Sequence, residues 1–171
     1  DVELAGNSRF SLNVADVVGE DDVSAFVYSD IPVVVERAMY WNGRAEGHAC
    51  VGSATPANGW CLAEGTTAWG FEEWVLLQNP TDRQVQVTLT CMLPDGSSFD
   101  TYYDLSPFSR TSVDMGQVVR SSDVSVEATQ SLNTSTPDSR IIVWGSTTFP
   151  SDLDIFRPLS SSVMPWVRTA L

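Results

Sequence analysis

The chain has 171 residues, 43% of them apolar, which is enough to build a hydrophobic core in one or two small domains. It carries 22 Asp and Glu against nine basic residues, all of them Arg, for a formal net charge of −13. This acidity argues against binding a nucleic-acid backbone or an anionic membrane surface, because both need basic clusters. The absence of Lys excludes Schiff-base chemistry, a P-loop lysine and Lys–Asn isopeptide crosslinks.

An internal repeat organises the chain. Residues 109–126, SRTSVDMGQVVRSSDVSV, match residues 8–25, SRFSLNVADVVGEDDVSA, at eight of eighteen positions without a gap, at an offset of 101. The stretches that follow, Ile31–Trp41 and Arg140–Phe149, also correspond if the second copy has seven inserted residues. We therefore expect part of one repeat at residues 1–41 and a complete one at 60–149, as in a tandem array.

The partial repeat predicts three strands. Apolar and polar residues alternate in Arg9–Val14 and in Val23–Tyr28, and a third strand is expected over Ile31–Trp41. Residues 42–59 are rich in Gly, Ala, Asn and Pro without a period and predict a linker loop. Three strands cannot bury their inner faces alone, so the complete repeat, the C-terminal tail or another copy of the chain must complete them. The last case would make a homo-oligomer.

The complete repeat predicts an all-β fold, an antiparallel immunoglobulin-like β-sandwich. Turn signals stand at Asn79-Pro80-Thr81-Asp82 and at Pro94-Asp95-Gly96, and a single helical turn is expected within Val113–Arg120. Residues 150–171 predict a tail that packs on the sandwich. The seven expected strands are Trp60–Gly65, Phe71–Gln78, Gln84–Met92, Phe99–Leu105, Thr111–Met115, Val124–Ala128 and Ile141–Phe149.

Three cysteines allow two disulfide pairings. Cys50 and Cys61 enclose a loop rich in Gly, Pro and Asn and would close it in an oxidising compartment, while Cys61–Cys91 is the competing pair. Cys91 falls in phase with apolar residues of its strand, so a buried thiol is the favoured interpretation. With no CxxC or Cys/His cluster, we expect no structural zinc site.

Charged residues near the expected strands predict an ion pair rather than catalysis. Arg37 replaces an apolar residue in the row 33-35-37-39, and a buried cation needs an anion, with Glu64 or Glu72 as candidates beside Glu36. Two carboxylates among Glu36, Glu64, Glu72 and Glu73 would also suit a glycosidase, which is the weaker interpretation. His48 is the only candidate base for a serine triad, and no G-x-S-x-G turn is present.

Exposed tryptophans would offer platforms for sugar rings. Trp60 and Trp69 stand beside Gly-containing turns and are the candidate ligand-binding residues, although packing in the core is the more frequent role of Trp. Glu20, Asp21 and Asp22 lack the oxygen spacing of a calcium loop, so we expect a solvated turn and no metal or other cofactor.

The segments WCLAEG, WVLLQNP and ERAMY, within residues 60–80 and 36–40, resemble a repeat module found in large secreted or surface proteins of actinobacteria and other microbes. The resemblance implies an extracellular, β-rich repeated module without established catalytic residues. The Glu36-Arg37 pair is replaced by Trp144-Gly145 in the second copy, which resembles a terminal capping repeat.

These features favour a non-catalytic structural or adhesive module outside the cell, in contact with neighbouring repeats, surface proteins or glycans. A carbohydrate-binding module attached to an extracellular enzyme is the alternative, and a glycosidase the third. The apolar runs are far shorter than the ~20 residues that span a bilayer, so no membrane insertion is expected.

Overall fold

The computed structural model describes residues 1–19, 21–131 and 140–148. Nine strands, two single α-helical turns and one 3-10 turn, Asn42–Arg44, occur in these ranges, and all strand pairs are antiparallel. The elements are α1 (Ala15–Val18), β1 (Glu36–Trp41), β2 (Glu46–Val51), β3 (Gly59–Leu62), β4 (Glu72–Gln78), β5 (Val85–Met92), β6 (Ser98–Leu105), β7 (Arg110–Asp114), α2 (Met115–Val118), β8 (Ser125–Gln130) and β9 (Ile142–Thr148). The all-β prediction is confirmed.

Strands β3 to β9 form two sheets that pack into a sandwich. One sheet has the order β3-β8-β5-β6 and the other the order β7-β4-β9. These seven strands lie where the sequence predicts them, with boundaries shifted by a few residues. The expected helical turn is α2, and the carboxylate of its N-cap Asp114 accepts a hydrogen bond from Gly116 N at 2.9 Å.

The core lies between the two sheets and follows the alternation of the strands. In β5, Val87, Leu89 and Cys91 are fully buried, and the residues between them are less buried or exposed. Leu77 of β4 lies opposite them in the other sheet, within the same cluster. The full cluster consists of Val75, Leu77, Val85, Val87, Leu89, Cys91, Leu105, Val113, Met115, Val119, Val124, Val126, Ala128, Ile141 and Val143.

Asn79 fastens two turns at one end of the sandwich. Its buried Nδ2 donates to the carbonyl oxygens of Arg83 at 2.6 Å, Leu105 at 3.3 Å and Ser106 at 2.9 Å. Its Oδ1 accepts from the amide of Thr81 at 3.0 Å and from its hydroxyl at 2.7 Å. The predicted Asn-Pro turn is thus also the anchor of the β6–β7 connection.

The N-terminal part differs from its prediction. Between residues 1 and 35, Glu20 aside, the structure has no strand, only the single turn α1. The expected strands at Arg9–Val14 and Val23–Tyr28 are absent, and no strand among the described residues offers them backbone partners. The third shortens to β1 and pairs with β2, which arises inside the predicted linker 42–59.

The β1–β2 hairpin forms its own two-stranded sheet. Its register places Tyr40 opposite Gly47, and a Cβ at Gly47 would come within 2.8 Å of the Tyr40 ring. The aromatic side chain covers the glycine, an arrangement that supports register in short sheets. The predicted tail 150–171, with Trp166, lies outside the described residues, as does Phe149.

Candidate functional site

The two candidate tryptophans have different surroundings. The half-buried indole of Trp60 packs against the core, and its Nε1 donates to the carbonyl oxygen of Ile141 at 2.9 Å. That hydrogen bond ties β3 to the start of β9, so Trp60 serves the fold. Its ring is not a free platform for a sugar.

Trp69 remains an exposed platform. Its side chain is 76% exposed and its φ is +53°, a left-handed conformation that costs a bulky residue about 1 kcal/mol or more. The turn is anchored through Thr67, whose amide donates to Ser122 O at 2.9 Å and whose hydroxyl donates to Val119 O at 2.8 Å. The fold therefore holds this indole in water at the end of the sandwich where β4 begins.

The predicted ion pair among Glu36, Arg37, Glu64 and Glu72 does not form. In the described part of the chain the ion pairs are Arg83–Asp82 at 3.9 Å and Arg110–Asp22 at 2.9 Å. Nε and Nη2 of Arg37 are buried and make no hydrogen bond. Arg37 lies on the separate hairpin, whereas Glu64 and Glu72 belong to the sandwich, and Glu36 precedes Arg37 in β1 and so points to the opposite face of the strand.

A buried carboxylate lies at the neighbouring position, Glu73, which is 2% exposed. A Cβ at Gly65 would lie 2.8 Å from Glu73 Cδ, and one at Gly145 would lie 3.6 Å from its Oε1. The two glycines thus leave the space that this carboxylate occupies. The sequence carries the signal, because Glu73 is in phase with the apolar Val75 and Leu77 of β4.

All three cysteines are free, so neither predicted disulfide is present. Cys61 is exposed on β3 and Cys91 is buried on β5. The two residues point to opposite faces of one sheet, which rules out the Cys61–Cys91 pair geometrically. Cys50 lies half-buried on the hairpin. The prediction of a buried Cys91 is confirmed, and burial, with the nearby Asp100 carboxylate, raises the pKa of its thiol.

His48 lies on β2, half-buried beside Arg37. Burial, with repulsion from the Arg37 guanidinium, lowers the pKa of the imidazole below its usual value. An open depression of about 360 Å³ lies over this hairpin, lined by Tyr40, Arg44 and His48 among others. Its other lining residues are Ala38, Ala45, Gly47 and Ala49.

The acidic turn at Asp21-Asp22 makes one contact with the sandwich and one within the turn. Asp22 pairs with Arg110 of the sandwich, and Asp21 Oδ1 accepts from the amide of Asp22 at 2.7 Å. Among the residues that the structure describes, no three His, Cys, Asp or Glu side chains are grouped to hold a metal ion. Within the same ranges, no helix is long and apolar enough to cross a membrane.

The largest unexplained feature is the N-terminal segment, residues 1–35. Every one of its Val, Leu, Ile, Phe and Tyr side chains is exposed. A segment this apolar is normally buried against a partner. Its exposed residues are Val2, Leu4, Phe10, Leu12, Val14, Val17, Val18, Val23, Phe26, Val27, Tyr28, Ile31, Val33, Val34 and Val35.

The N-terminal segment nevertheless keeps the local structure of the second copy. Ser8 Oγ donates to Ala5 O at 2.6 Å, and Ser109 Oγ donates to Ser106 O at 2.7 Å, 101 residues later. Asn7 and its counterpart Phe108 both have positive φ, +57° and +49°. These equivalences extend the repeat upstream of the matched sequence stretch.

The helical turn repeats in the same way. Val18 N donates to Val14 O at 3.1 Å, and Val119 N donates to Met115 O at 2.7 Å, again at an offset of 101. At the same offset, side-chain hydrogen bonds join Asn13 to Asp16 at 2.8 Å and Gln117 to Asp114 at 3.1 Å. The two copies share their turns but only the second has its sheets.

No family model matches the chain, and no curated protein matches it. Among solved structures, it is similar to the Anabaena sensory rhodopsin transducer, with a TM-score of 0.46 and 14% identity over 56% of this chain and 100% of that one. It is also similar to Thermotoga maritima 1070, with a TM-score of 0.45 and 13% identity over 54% of this chain and 91% of that one. Likenesses this weak indicate no shared function.

Proposed function

We propose that the chain is a non-catalytic structural repeat module of a secreted or cell-surface protein, acting as a spacer and through contacts with neighbouring repeats or surface proteins. One observation carries the proposal: two copies of one sequence repeat lie in tandem, and exposed apolar residues of the first correspond to core residues of the second. Solenoids and arrays stack such units because a repeat buries its apolar face against its neighbour.

The net charge, the enclosed position of Glu73 and the size of the sandwich support the same role. A net charge of −13 favours solubility in an exposed setting. The buried Glu73 sits between Gly65 and Gly145 inside the sandwich, without room for a substrate. The immunoglobulin-like size of residues 57–148 suits a load-bearing spacer.

A pulling experiment tests the spacer role. The full chain, held at its two ends, should show one cooperative event that releases roughly 300 Å of chain, since residues 57–148 extend by about 3.3 Å each. Alongside it, a screen of glycoside, ester and peptide substrates should give no turnover. Gradual extension without an event, or turnover lost in Glu73→Gln, would overturn the proposal.

Glycan binding is the second candidate, and Trp69 favours it. An indole held in water by a strained turn, with 76% of its surface exposed, resembles a stacking platform for a sugar ring. Phe108 provides a matched control, because it is 70% exposed with φ +49° at the opposite end of β4. Binding on a glycan array that is lost in Trp69→Ala and kept in Phe108→Ala would support this candidate; equal effects would count against it.

A further inference from the structure

We infer that residues 9–40 are the closing strands of a second sandwich, and that they bind strands equivalent to β3–β6 of another repeat unit in the register that β7, β8 and β9 use here. This inference rests on the proposed array and names the partner surface within it. The partner is a repeat of the same kind, recognised by backbone pairing and by an apolar inner face.

Burial in the second copy identifies the inner face of the first. At an offset of 101, six exposed residues correspond to core residues that are at most 5% exposed. At an offset of 108, Val33 and Val35 correspond to Ile141 and Val143, which are also buried. The six are Leu4, Leu12, Val14, Val18, Val23 and Val27, and their counterparts are Leu105, Val113, Met115, Val119, Val124 and Ala128.

Phe26 is assigned to the outer face. Phe26 alternates with Ala25 and Val27, and its counterpart Glu127 is exposed on β8. A partner that recognised only apolar surface would contact Phe26 as readily as Val27. A partner that continues the sandwich leaves position 26 in water.

In the register of β7, β8 and β9, the sandwich of this chain has no place left for the N-terminal segment. Strand β4 already has β7 on one edge and β9 on the other, and β8 fills the place between β3 and β5. Binding there would require β7, β8 and β9 to leave a fully buried core. The acceptor strands therefore come from another unit.

The known pairings fix the register. Val113 lies opposite Val75, so Leu12 is expected opposite the Val75 equivalent of the acceptor. Ala128 lies opposite Leu89, which places Val27 opposite the Leu89 equivalent. A slip by one residue would turn every apolar side chain to the outer face, so the alternation itself selects this register.

Arg37 supplies an independent observation. It corresponds to Gly145, where a Cβ would lie 3.6 Å from the buried carboxylate oxygen of Glu73 and 3.2 Å from Leu62 Cδ1. Nε and Nη2 of Arg37 are buried without hydrogen bonds in this chain. In the completed sandwich its guanidinium would meet the carboxylate equivalent to Glu73, once the flexible end of the Leu62 equivalent moves aside.

An extended chain tests the inference. Residues 57–101 are placed directly before Asp1 of the full chain, which preserves the offset of 101 and supplies β3, β4, β5 and the first half of β6. Hydrogen exchange of the N-terminal segment should slow by at least about a thousandfold, the low end of the folded-to-unfolded ratio of small domains. Light scattering shows where the acceptor strands come from. A monomer means that they come from the same chain, and a dimer or larger oligomer means that they are exchanged between chains.

Two matched variants distinguish binding in the expected register from non-specific hydrophobic association. Leu12→Asp should abolish the protection of the first unit, whereas Phe26→Asp should keep it, because its counterpart is Glu127 on the outer face. Arg37→Leu should reduce the protection by about tenfold or more, through the lost charge-assisted hydrogen bonds. The thermal transition of the second unit serves as the folding control throughout.

Unchanged exchange on extension, or equal effects of Leu12→Asp and Phe26→Asp, would overturn the inference. The pulling and substrate measurements on the unextended chain would be untouched by that failure. The proposed function and the docking register therefore fail separately.

Discussion

Val14 and Met115 hold the same position of the repeat and accept the same backbone hydrogen bond, from Val18 N at 3.1 Å and from Val119 N at 2.7 Å. They differ in burial, since Met115 is 0% exposed and Val14 is 39% exposed. The helical turn at this position therefore forms without the sheets. Its burial, and the stability that burial gives, depend on them.

This difference predicts unequal costs of truncation. Met115→Ala should lower the free energy of unfolding by about 2–5 kcal/mol, because it leaves a cavity in the core. Val14→Ala should change it by less than about 0.5 kcal/mol in the unextended chain, as surface changes do. Urea unfolding followed by tryptophan fluorescence measures both. Equal losses would mean that the N-terminal segment already packs on the sandwich.

Gly65 should not tolerate a methyl group. Gly65→Ala would place a Cβ 2.8 Å from Glu73 Cδ, and overpacking of this kind costs about 1–3 kcal/mol. Gly59→Ala is the matched control, because its Cβ would meet Thr129 Cγ2 at an ordinary 3.7 Å. Denaturation midpoints of the two variants give the comparison. A destabilised Gly59→Ala beside an unaffected Gly65→Ala would contradict the placement of the Glu73 side chain.

The thiols should react in order of exposure. Cys61 should be modified first by an aromatic disulfide reagent, Cys50 more slowly, and Cys91 only when the chain unfolds, since the pKa of the Cys91 thiol is raised and its sulfur is buried. Unfolding without reductant should release three thiols in total. A total of one would show that a disulfide had formed.

His48 predicts a pH dependence of the hairpin. The pKa of its imidazole is lowered by burial and then by Arg37, so the neutral form is favoured in the folded hairpin. The stability that the hairpin gains from the neutral imidazole is fully present above the unfolded pKa of about 6.5. It is lost as the pH falls through the lower folded pKa. Proton NMR of the single histidine should give a midpoint below that value, raised in Arg37→Leu. A titration midpoint of His48 at the unfolded value, unchanged in Arg37→Leu, would contradict this account.

The sandwich was predictable because its signals are local. Alternation in Val85–Met92 and the Asn79-Pro80 turn both stand in the structure as the sequence indicates. The N-terminal strands carry the same alternation, but a strand exists only with a neighbour, and no strand in residues 1–19, 21–131 and 140–148 pairs with Val23–Tyr28. The repeat shows which residues of the N-terminal segment correspond to strands. They form strands only when a partner strand is present.

The candidate site was less predictable because its chemistry depends on tertiary contacts. Trp60 and Trp69 look alike beside their glycines, and only the hydrogen bond to Ile141 separates a core indole from an exposed one. The sequence predicts Arg37 beside Glu64 or Glu72. In the completed sandwich that we infer, Arg37 instead faces the carboxylate equivalent to Glu73.

The register of Leu12 in the extended chain is the most direct test of the account. Backbone NMR contacts should place Leu12 opposite Val75 of the added strands, as Val113 lies opposite Val75 in the second unit. Contacts with Trp74 or Leu76 instead would turn the Leu12 side chain to the outer face. That result, or the absence of any cross-strand contact, would contradict the claim that the first copy closes a neighbouring sandwich.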